Sequence, residues 1–82
     1  MPKSVYSDAQ AALVFVLTSA RKNAGILQAD LGSKLGKDQS YVSNIERGQR
    51  RVDVLEFHEL ALAIGVDPVE LYRRFAQKIN SK

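Results

Sequence analysis

The chain has 82 residues, of which 45% are hydrophobic and 26% charged, and its formal net charge is +3 at pH 7. This length and balance are typical of one small folded domain, which we expect to span residues 1–82 with a core over 8–79 and short flexible termini. The absence of cysteines excludes disulfides, thiolate nucleophiles and cysteine-ligated metal sites.

The first predicted helix follows Ser7 or Asp8, either of which can cap it, and it runs to about Ala24. Gly25 comes next, a residue type that readily ends a helix in the left-handed conformation. Apolar residues recur within this segment at the period of a helix with one buried face. They are Leu13, Val16, Leu17 and Ala20.

Two short helices follow in close succession. The second fits residues 28–35 and ends at Gly36, and the third fits residues 39–47 and ends at Gly48. Asp38 precedes the third helix, where its carboxylate can accept hydrogen bonds from the free amides of the first turn. Two short helices joined by a turn of a few residues predict a helix-turn-helix unit.

Residues within this pair meet the steric demands of such a unit. The helices need a small residue where they touch, which Gly32 supplies, and a residue free to take positive φ in the turn, which Gly36 supplies. Apolar side chains must fill the wedge between the helices. Leu31, Leu35, Val42 and Ile45 stand at those positions.

Two further helices carry clear start signals. Asp53 and Glu56 form a variant of the capping box, and Gly65 ends the fourth helix. Asp67 caps the fifth helix and Pro68 occupies its first position, where a missing amide costs nothing. The expected apolar residues are Leu55, Leu60, Leu62, Ala63 and Ile64 on the fourth helix and Leu71, Phe75 and Ile79 on the fifth. Five helices with short connections predict a compact all-α domain.

The outward face of the third helix is polar and contains no acidic residue. Amide side chains such as those of Gln39 and Asn44 can pair with adenine through two hydrogen bonds, and the guanidinium of Arg47 can pair with guanine. Since the second helix of a helix-turn-helix enters the major groove, this face is a candidate for reading DNA. We expect Gln39, Ser40, Ser43 and Asn44 to contact base edges, and Tyr41 and Arg47 mostly to contact phosphates.

Charge distribution also favours a polyanionic partner. Residues 47–51 contain three arginines and no acid, whereas every charged residue between 52 and 72 is acidic. A concentration of positive charge beside the third helix is what a surface facing phosphates requires. The alternative interpretation is a solvated face followed by a basic tail.

Short segments along residues 17–71 resemble the phage repressor and Cro family of helix-turn-helix domains, the XRE-like family. These segments are Ala20-Arg21, Ala24-Gly25, Gln28-Ala29-Asp30-Leu31, Lys34-Leu35-Gly36, Gln39-Ser40-Tyr41-Val42-Ser43, Ile45-Glu46-Arg47-Gly48, Ala61 to Gly65 and Asp67 to Leu71. The resemblance implies a five-helix, lambda-repressor-like fold in which the third helix reads bases. It also implies that Gln28 contacts the DNA backbone, that the loop containing Gln49, Arg50 and Arg51 contacts phosphates, and that Arg21 and Glu46 form a structural salt bridge.

The chain departs from the family pattern at two positions. Leu27 stands where the family has a capping Thr, Ser or Asn, so we expect the second helix to start late or to fray. Gly32 replaces the usual Ala, which lowers the helix propensity at that position by up to about 1 kcal/mol.

Catalysis and metal binding find little support in the sequence. His58 is the only histidine, the acidic residues show no metal-ligand spacing, and the glycines fall at helix ends or packing points rather than in a phosphate-binding loop. We therefore expect no enzyme activity, cofactor, metal or small-molecule ligand. No apolar run is long enough to span a membrane and residues 1–4 lack a signal sequence, so we expect a cytoplasmic protein with no membrane partner.

The predicted helix-turn-helix also suggests the oligomeric state of the protein. A single helix-turn-helix contacts too few bases for useful selectivity, so such proteins commonly bind paired half-sites as dimers. Val69, Tyr72 and Ile79 on the fifth helix are the dimer candidates, although these residues could instead close the core of a monomer. The sequence therefore predicts a homodimeric transcription regulator that acts as a repressor on a palindromic operator. The alternatives are a protein-interaction module that retains the fold, an antitoxin, or a restriction-modification controller.

Overall fold

The computed structural model describes residues 5–80, which form five α-helices. They are α1 (Val5–Asn23), α2 (Gln28–Lys34), α3 (Gln39–Glu46), α4 (Val54–Ile64) and α5 (Pro68–Asn80). Within this range there is no strand, and the predicted all-α, five-helix architecture is confirmed. The expectation of flexible termini concerns residues that lie largely outside the described range, and it stays a prediction.

The start of α1 differs from the prediction. The helix begins at Val5, so neither Ser7 nor Asp8 is its cap. Both residue types are tolerated in a first turn, where the charge of Asp8 interacts favourably with the positive end of the helix dipole. At the other end, the main chain leaves the helix through Gly25, whose φ is +74°.

The start of α2 also corrects an expectation. Leu27 makes no side-chain cap, yet the helix begins directly at Gln28, and the Leu31 amide donates to the Leu27 carbonyl at 3.0 Å. The side chain of Leu31 is 1% exposed. We infer that burial of this leucine, which is worth about 1.5–3 kcal/mol, outweighs the missing cap, which costs about 1 kcal/mol.

The caps of the later helices fall partly as predicted. At α3 the Asp38 carboxylate accepts from the Ser40 hydroxyl at 2.6 Å and makes no full cap hydrogen bond, although the first-turn amides of Ser40 and Tyr41 help to lower its pKa. At α4 the capping box is complete: the Glu56 amide donates to the Asp53 carboxylate at 2.7 Å, and the Asp53 amide donates back to Glu56 at 3.1 Å. At α5 the Asp67 carboxylate accepts from the first turn as expected.

The core is formed by one stripe from each of α1 and α3, the inner face of α2, and the facing sides of α4 and α5. On α4 the buried residues include Leu60 and Ile64, whereas Leu55 and Leu62 are 65% and 59% exposed, which corrects the predicted core. Because α4 is apolar on nearly every side, its periodicity could not identify the buried face. The buried core residues are Val16, Leu17, Ala20, Leu31, Val42, Ile45, Leu60, Ala61, Ile64 and Leu71.

The contact between α2 and α3 depends on Gly32. A Cβ atom added there would lie 2.8 Å from the carbonyl oxygen of Asp38, closer than a side chain can approach main-chain atoms. The Lys37 amide donates to the Gly32 carbonyl at 2.8 Å, and Gly36 turns the chain with a φ of +71°. Gly32 is thus required for close approach, which explains why the chain tolerates its low helix propensity.

Candidate nucleic-acid interface

The polar face of α3 lies opposite the residues that anchor the helix. Val42 and Ile45 are buried, and the side chains predicted to read bases point away from them. Asp38, an exposed acidic residue, borders this face beside the first turn of the helix. The hydrogen bond from Ser40 lowers the pKa of its carboxyl group. The predicted base-reading residues comprise Gln39 and Ser40, which are exposed, and Ser43 and Asn44, which are half-buried.

A buried ion pair fixes the end of α3 to α1. The Nε of Arg21 donates to Glu46 at 2.6 Å, its Nη2 donates to the same carboxylate at 3.0 Å, and its Nη1 donates to the Ile26 carbonyl at 2.7 Å. Both charged side chains are 9% exposed. The hydrogen bond to Glu46 raises the pKa of Arg21, so the guanidinium stays charged. The structure therefore brings together the two residues that the resemblance to the phage repressor family paired.

The ion pair continues into the polar face through two amides. The Gln28 side-chain Nε2 donates to Glu46 Oε1 at 2.8 Å, and the Gln39 Nε2 donates to Gln28 Oε1 at 3.3 Å. Gln28 is the first residue of α2 and Gln39 the first residue of α3. The same contacts that hold α2 against α3 thus also orient a residue of the polar face.

A third hydrogen bond orders the far end of this face. Arg47, the C-cap of α3, donates from Nη2 to the Oδ1 of Asn44. The Gln49 amide donates to the Asn44 carbonyl at 2.9 Å, which turns the chain away from the helix. Asn44 and Arg47 consequently act as one unit at the end of the helix.

The loop between α3 and α4 is held by Arg50. Its guanidinium binds the Glu56 carboxylate through two hydrogen bonds of 3.1 and 2.8 Å, and it lies 4.6 Å from the centre of the Tyr41 ring. The hydrogen bond with Glu56 raises the pKa of Arg50, while burial raises the pKa of the Tyr41 hydroxyl. Sequence reasoning assigned Arg50 and Tyr41 to phosphates and missed Glu56, which it explained as a capping residue.

Removing the Glu56 charge should make the stability of the fold less dependent on pH in the acidic range. Hydrogen bonds from Arg50 and from the Asp53 amide lower the pKa of Glu56 in the folded protein, so the pair stabilises the fold when the carboxylate is ionised. This stabilisation is fully present above pH 4.5, the ordinary pKa of a glutamate, and is lost as the pH falls through the lowered pKa of Glu56. We expect Glu56→Gln to be less stable than the wild type at pH 7 and the gap to close in acid, as measured by thermal unfolding.

Glu59→Gln is the control for this comparison, because Glu59 is exposed on the same helix. Its stability relative to the wild type should change little over the same range. A gap between Glu56→Gln and the wild type that stays constant from neutral pH into acid would show that the ion pair contributes nothing.

A second surface of the protein is apolar. Val54, Leu55, Val69 and Tyr72, which we call the α4–α5 patch, are 86%, 65%, 66% and 55% exposed and line one shallow groove together with His58. Ile79 lies apart from this patch and lines another groove beside Phe15. The three dimer candidates of α5 therefore do not form one surface. Sequence reasoning missed Val54, and it placed Leu55 in the core.

Other kinds of site find no counterpart in the part of the chain that the structure describes. Over residues 5–80 there is no cluster of three His, Asp or Glu side chains that could hold a metal ion. No helix in that range is both long and apolar enough to cross a membrane.

Known proteins resemble this chain in both sequence and fold. The helix-turn-helix family model matches residues 17–71. An uncharacterized HTH-type transcriptional regulator, y4dJ of Sinorhizobium fredii, is 41% identical over 51 residues. That match covers 62% of this chain and 66% of the relative, just under two thirds of its length.

Two solved structures extend the likeness to the whole fold. An XRE-family like protein from Pseudomonas syringae is 39% identical, with a TM-score of 0.83 over 88% of each chain. The restriction-modification controller protein C.Esp1396I, solved as a tetramer in complex with its natural 35 base-pair operator, is 25% identical, with a TM-score of 0.79. The matched regions are 88% of this chain and 95% of the controller.

Proposed function

Since this chain belongs to the helix-turn-helix family of DNA-binding transcription regulators, we propose that it represses transcription as a homodimer bound to a palindromic operator. The observation that carries this proposal is the polar face of α3, which is anchored by the buried pair Arg21–Glu46 and exposes Gln39 and Ser40 to solvent. An α-helix with such a face fits the major groove, where base edges are read.

We assign roles to individual residues on this basis. Base edges are contacted by side chains of α3, while phosphates are contacted by the start of α2 and by the loop after α3. Arg50 can contact a phosphate only if its ion pair with Glu56 is broken or shared with the phosphate. Its contribution to DNA affinity should therefore be smaller than that of an arginine without an ion-pair partner. The proposed base contacts are Gln39, Ser40, Ser43 and Asn44, and the proposed backbone contacts are Gln28, Tyr41, Arg47, Gln49, Arg50 and Arg51.

The α4–α5 patch is the proposed dimer interface. A contiguous group of exposed apolar side chains on a small protein commonly marks an interaction site. Val69 and Tyr72 were expected to serve this role, and Val54 and Leu55 extend the same surface. Assembly on DNA is supported by the related controller, which is a tetramer on its operator. We further propose that the protein acts in the cytoplasm, without a catalytic activity or a small-molecule ligand.

Selection of bound sequences from a random duplex library tests the proposal. With the pure protein at near-physiological salt, we expect enrichment of a two-fold symmetric motif with half-sites about 10 bp apart. A single half-site would retain DNA recognition and remove the dimer. Absence of any enriched motif, together with binding that disappears as salt rises, would overturn specific recognition and favour the protein-interaction module instead.

A narrower role is favoured by one observation. The likeness to C.Esp1396I, which extends over 88% of this chain, makes control of a restriction-modification gene pair the second candidate. The two candidates differ in the genes that the operator precedes. Locating the selected motif upstream of a methyltransferase or endonuclease gene would support the controller, and locating it elsewhere would exclude that role.

A further inference from the structure

Four side chains gather where the loop after α3 meets the start of that helix. The Arg50 guanidinium lies 4.6 Å from the centre of the Tyr41 ring, and the Lys37 Nζ lies 5.3 Å from the same centre. The Glu56 carboxylate of α4 accepts two hydrogen bonds from Arg50, of 3.1 and 2.8 Å. We call Lys37, Tyr41, Arg50 and Glu56 the loop cluster. Its one anion neutralises part of the positive charge that its two cations could offer to a phosphate.

The Glu56 carboxylate is held in place from two sides. Besides the two hydrogen bonds from Arg50, it accepts one from the Asp53 amide at 3.1 Å. These hydrogen bonds lower the pKa of Glu56, and the charge of Lys37 adds to the effect, so the carboxylate is ionised at neutral pH. It therefore occupies the forked donors of the guanidinium that a phosphate would otherwise use.

The ion pair of the loop cluster is nevertheless accessible to a ligand. The side chains of Arg50 and Glu56 are 39% and 22% exposed, whereas those of the Arg21–Glu46 pair are 9% exposed. Water and salt screen such a partly exposed pair, so it is individually weak. A phosphate brought close to the loop can displace the carboxylate, but part of its binding free energy is then used to break the internal pair.

We propose that Glu56 is an internal competitor of DNA, which lowers the affinity of the protein for the phosphate backbone by occupying Arg50. Phosphate contacts carry no sequence information, so this competition weakens binding to all duplexes alike and leaves the base preferences unchanged. The proposal rests on the proposed function, because it requires the loop after α3 to face the DNA backbone. It gives an acidic residue of α4 control over how tightly the interface binds.

The test is the affinity for a fluorescein-labelled duplex of random sequence, measured by fluorescence anisotropy over a range of salt concentrations. Glu56→Gln releases Arg50 and retains the helix cap, because glutamine can replace glutamate at this position of a capping box. Glu59→Gln is the matched control, since it removes the same charge from an exposed position of α4 outside the loop cluster. Affinities are compared at a temperature where circular dichroism shows that each variant is folded.

We expect Glu56→Gln to bind the duplex about 3–5-fold more tightly than the wild type, and Glu59→Gln to gain less than about 2-fold. The salt slope of Glu56→Gln should steepen by up to about one unit, because one further phosphate contact releases one further counterion. When Arg50 is replaced by methionine, Glu56→Gln should gain no more affinity than Glu59→Gln does.

Three results would overturn the proposal. Equal gains for the two glutamine variants, or a larger gain for Glu56→Gln that persists without Arg50, would mean that Glu56 acts only by repelling DNA. Weaker binding by Glu56→Gln would mean that the ion pair positions Arg50 for the phosphate. All three leave the proposed function intact, whereas failure of the wild type to bind any duplex at low salt would overturn both.

Discussion

Arg21→Met should be among the most destabilising single changes in this protein, with an expected loss of about 3–5 kcal/mol in the free energy of unfolding. The reason is that Glu46 is 9% exposed, and it would keep a buried negative charge supported only by the Gln28 amide. For a domain of this size, 3 kcal/mol corresponds to a fall in Tm of more than about 12 °C. Urea and thermal unfolding followed by circular dichroism at 222 nm measure both quantities.

The double variant Arg21→Met/Glu46→Leu separates the charge from the packing. Removing both partners eliminates the buried charge and keeps apolar volume, so we expect it to recover much of the stability lost in the single variant. The double variant should nevertheless bind specific DNA more weakly than the wild type, since Gln28 has lost the carboxylate acceptor that positions it. Equal stability of the wild type and Arg21→Met would mean that the ion pair is solvated and unimportant.

Leu55→Glu should prevent dimerisation without unfolding the protein. Leu55 is 65% exposed in the single chain and belongs to the α4–α5 patch, so a charge there costs little in the monomer but is buried in the proposed dimer. Replacement of a central interface residue is worth about 2 kcal/mol or more, which corresponds to a rise in the dimer Kd of at least about 30-fold. Sedimentation equilibrium measures this Kd directly.

The matched control for the interface is Leu27→Glu. Leu27 is 67% exposed, nearly as much as Leu55, but it lies in the connection between α1 and α2, away from the patch. This variant should sediment as the wild type does. If both variants dimerise like the wild type, the patch is not the interface, and the groove that contains Ile79 and Phe15 becomes the next surface to test.

Much of the candidate site could be predicted because it depends on local patterns. Val42 and Ile45 were identified as buried, and the helical period then placed Gln39 and Asn44 on the outer face. The pairing of Arg21 with Glu46, 25 residues apart, came instead from the resemblance to a family. No periodicity within one helix could have indicated that contact.

The orientation of the site's polar groups could not be predicted. The Gln39 amide is oriented by its hydrogen bond to Gln28, and the Gln28 amide is oriented by its hydrogen bond to Glu46. The three residues lie in different parts of the sequence. Likewise, the sequence suggested that the charge of Arg50 is available to bind phosphate. In the fold, the Arg50 guanidinium instead forms an ion pair with Glu56 on α4. Hydrogen-bond partners of long side chains are decided by which helices meet, and amino-acid type alone does not specify them.

Local sequence patterns were enough to predict where most helices begin and end and how α2 meets α3. Caps such as Asp53 with Glu56 act within one turn of the chain, and Gly32 is required wherever two main chains approach closely. The buried side of α4 was set instead by the packing of the helices, because its apolar residues surround the helix and their burial depends on where α1 and α5 lie. Burial is a property of the assembled helices, and it left Leu55 on the surface, where a second copy of the chain can cover it.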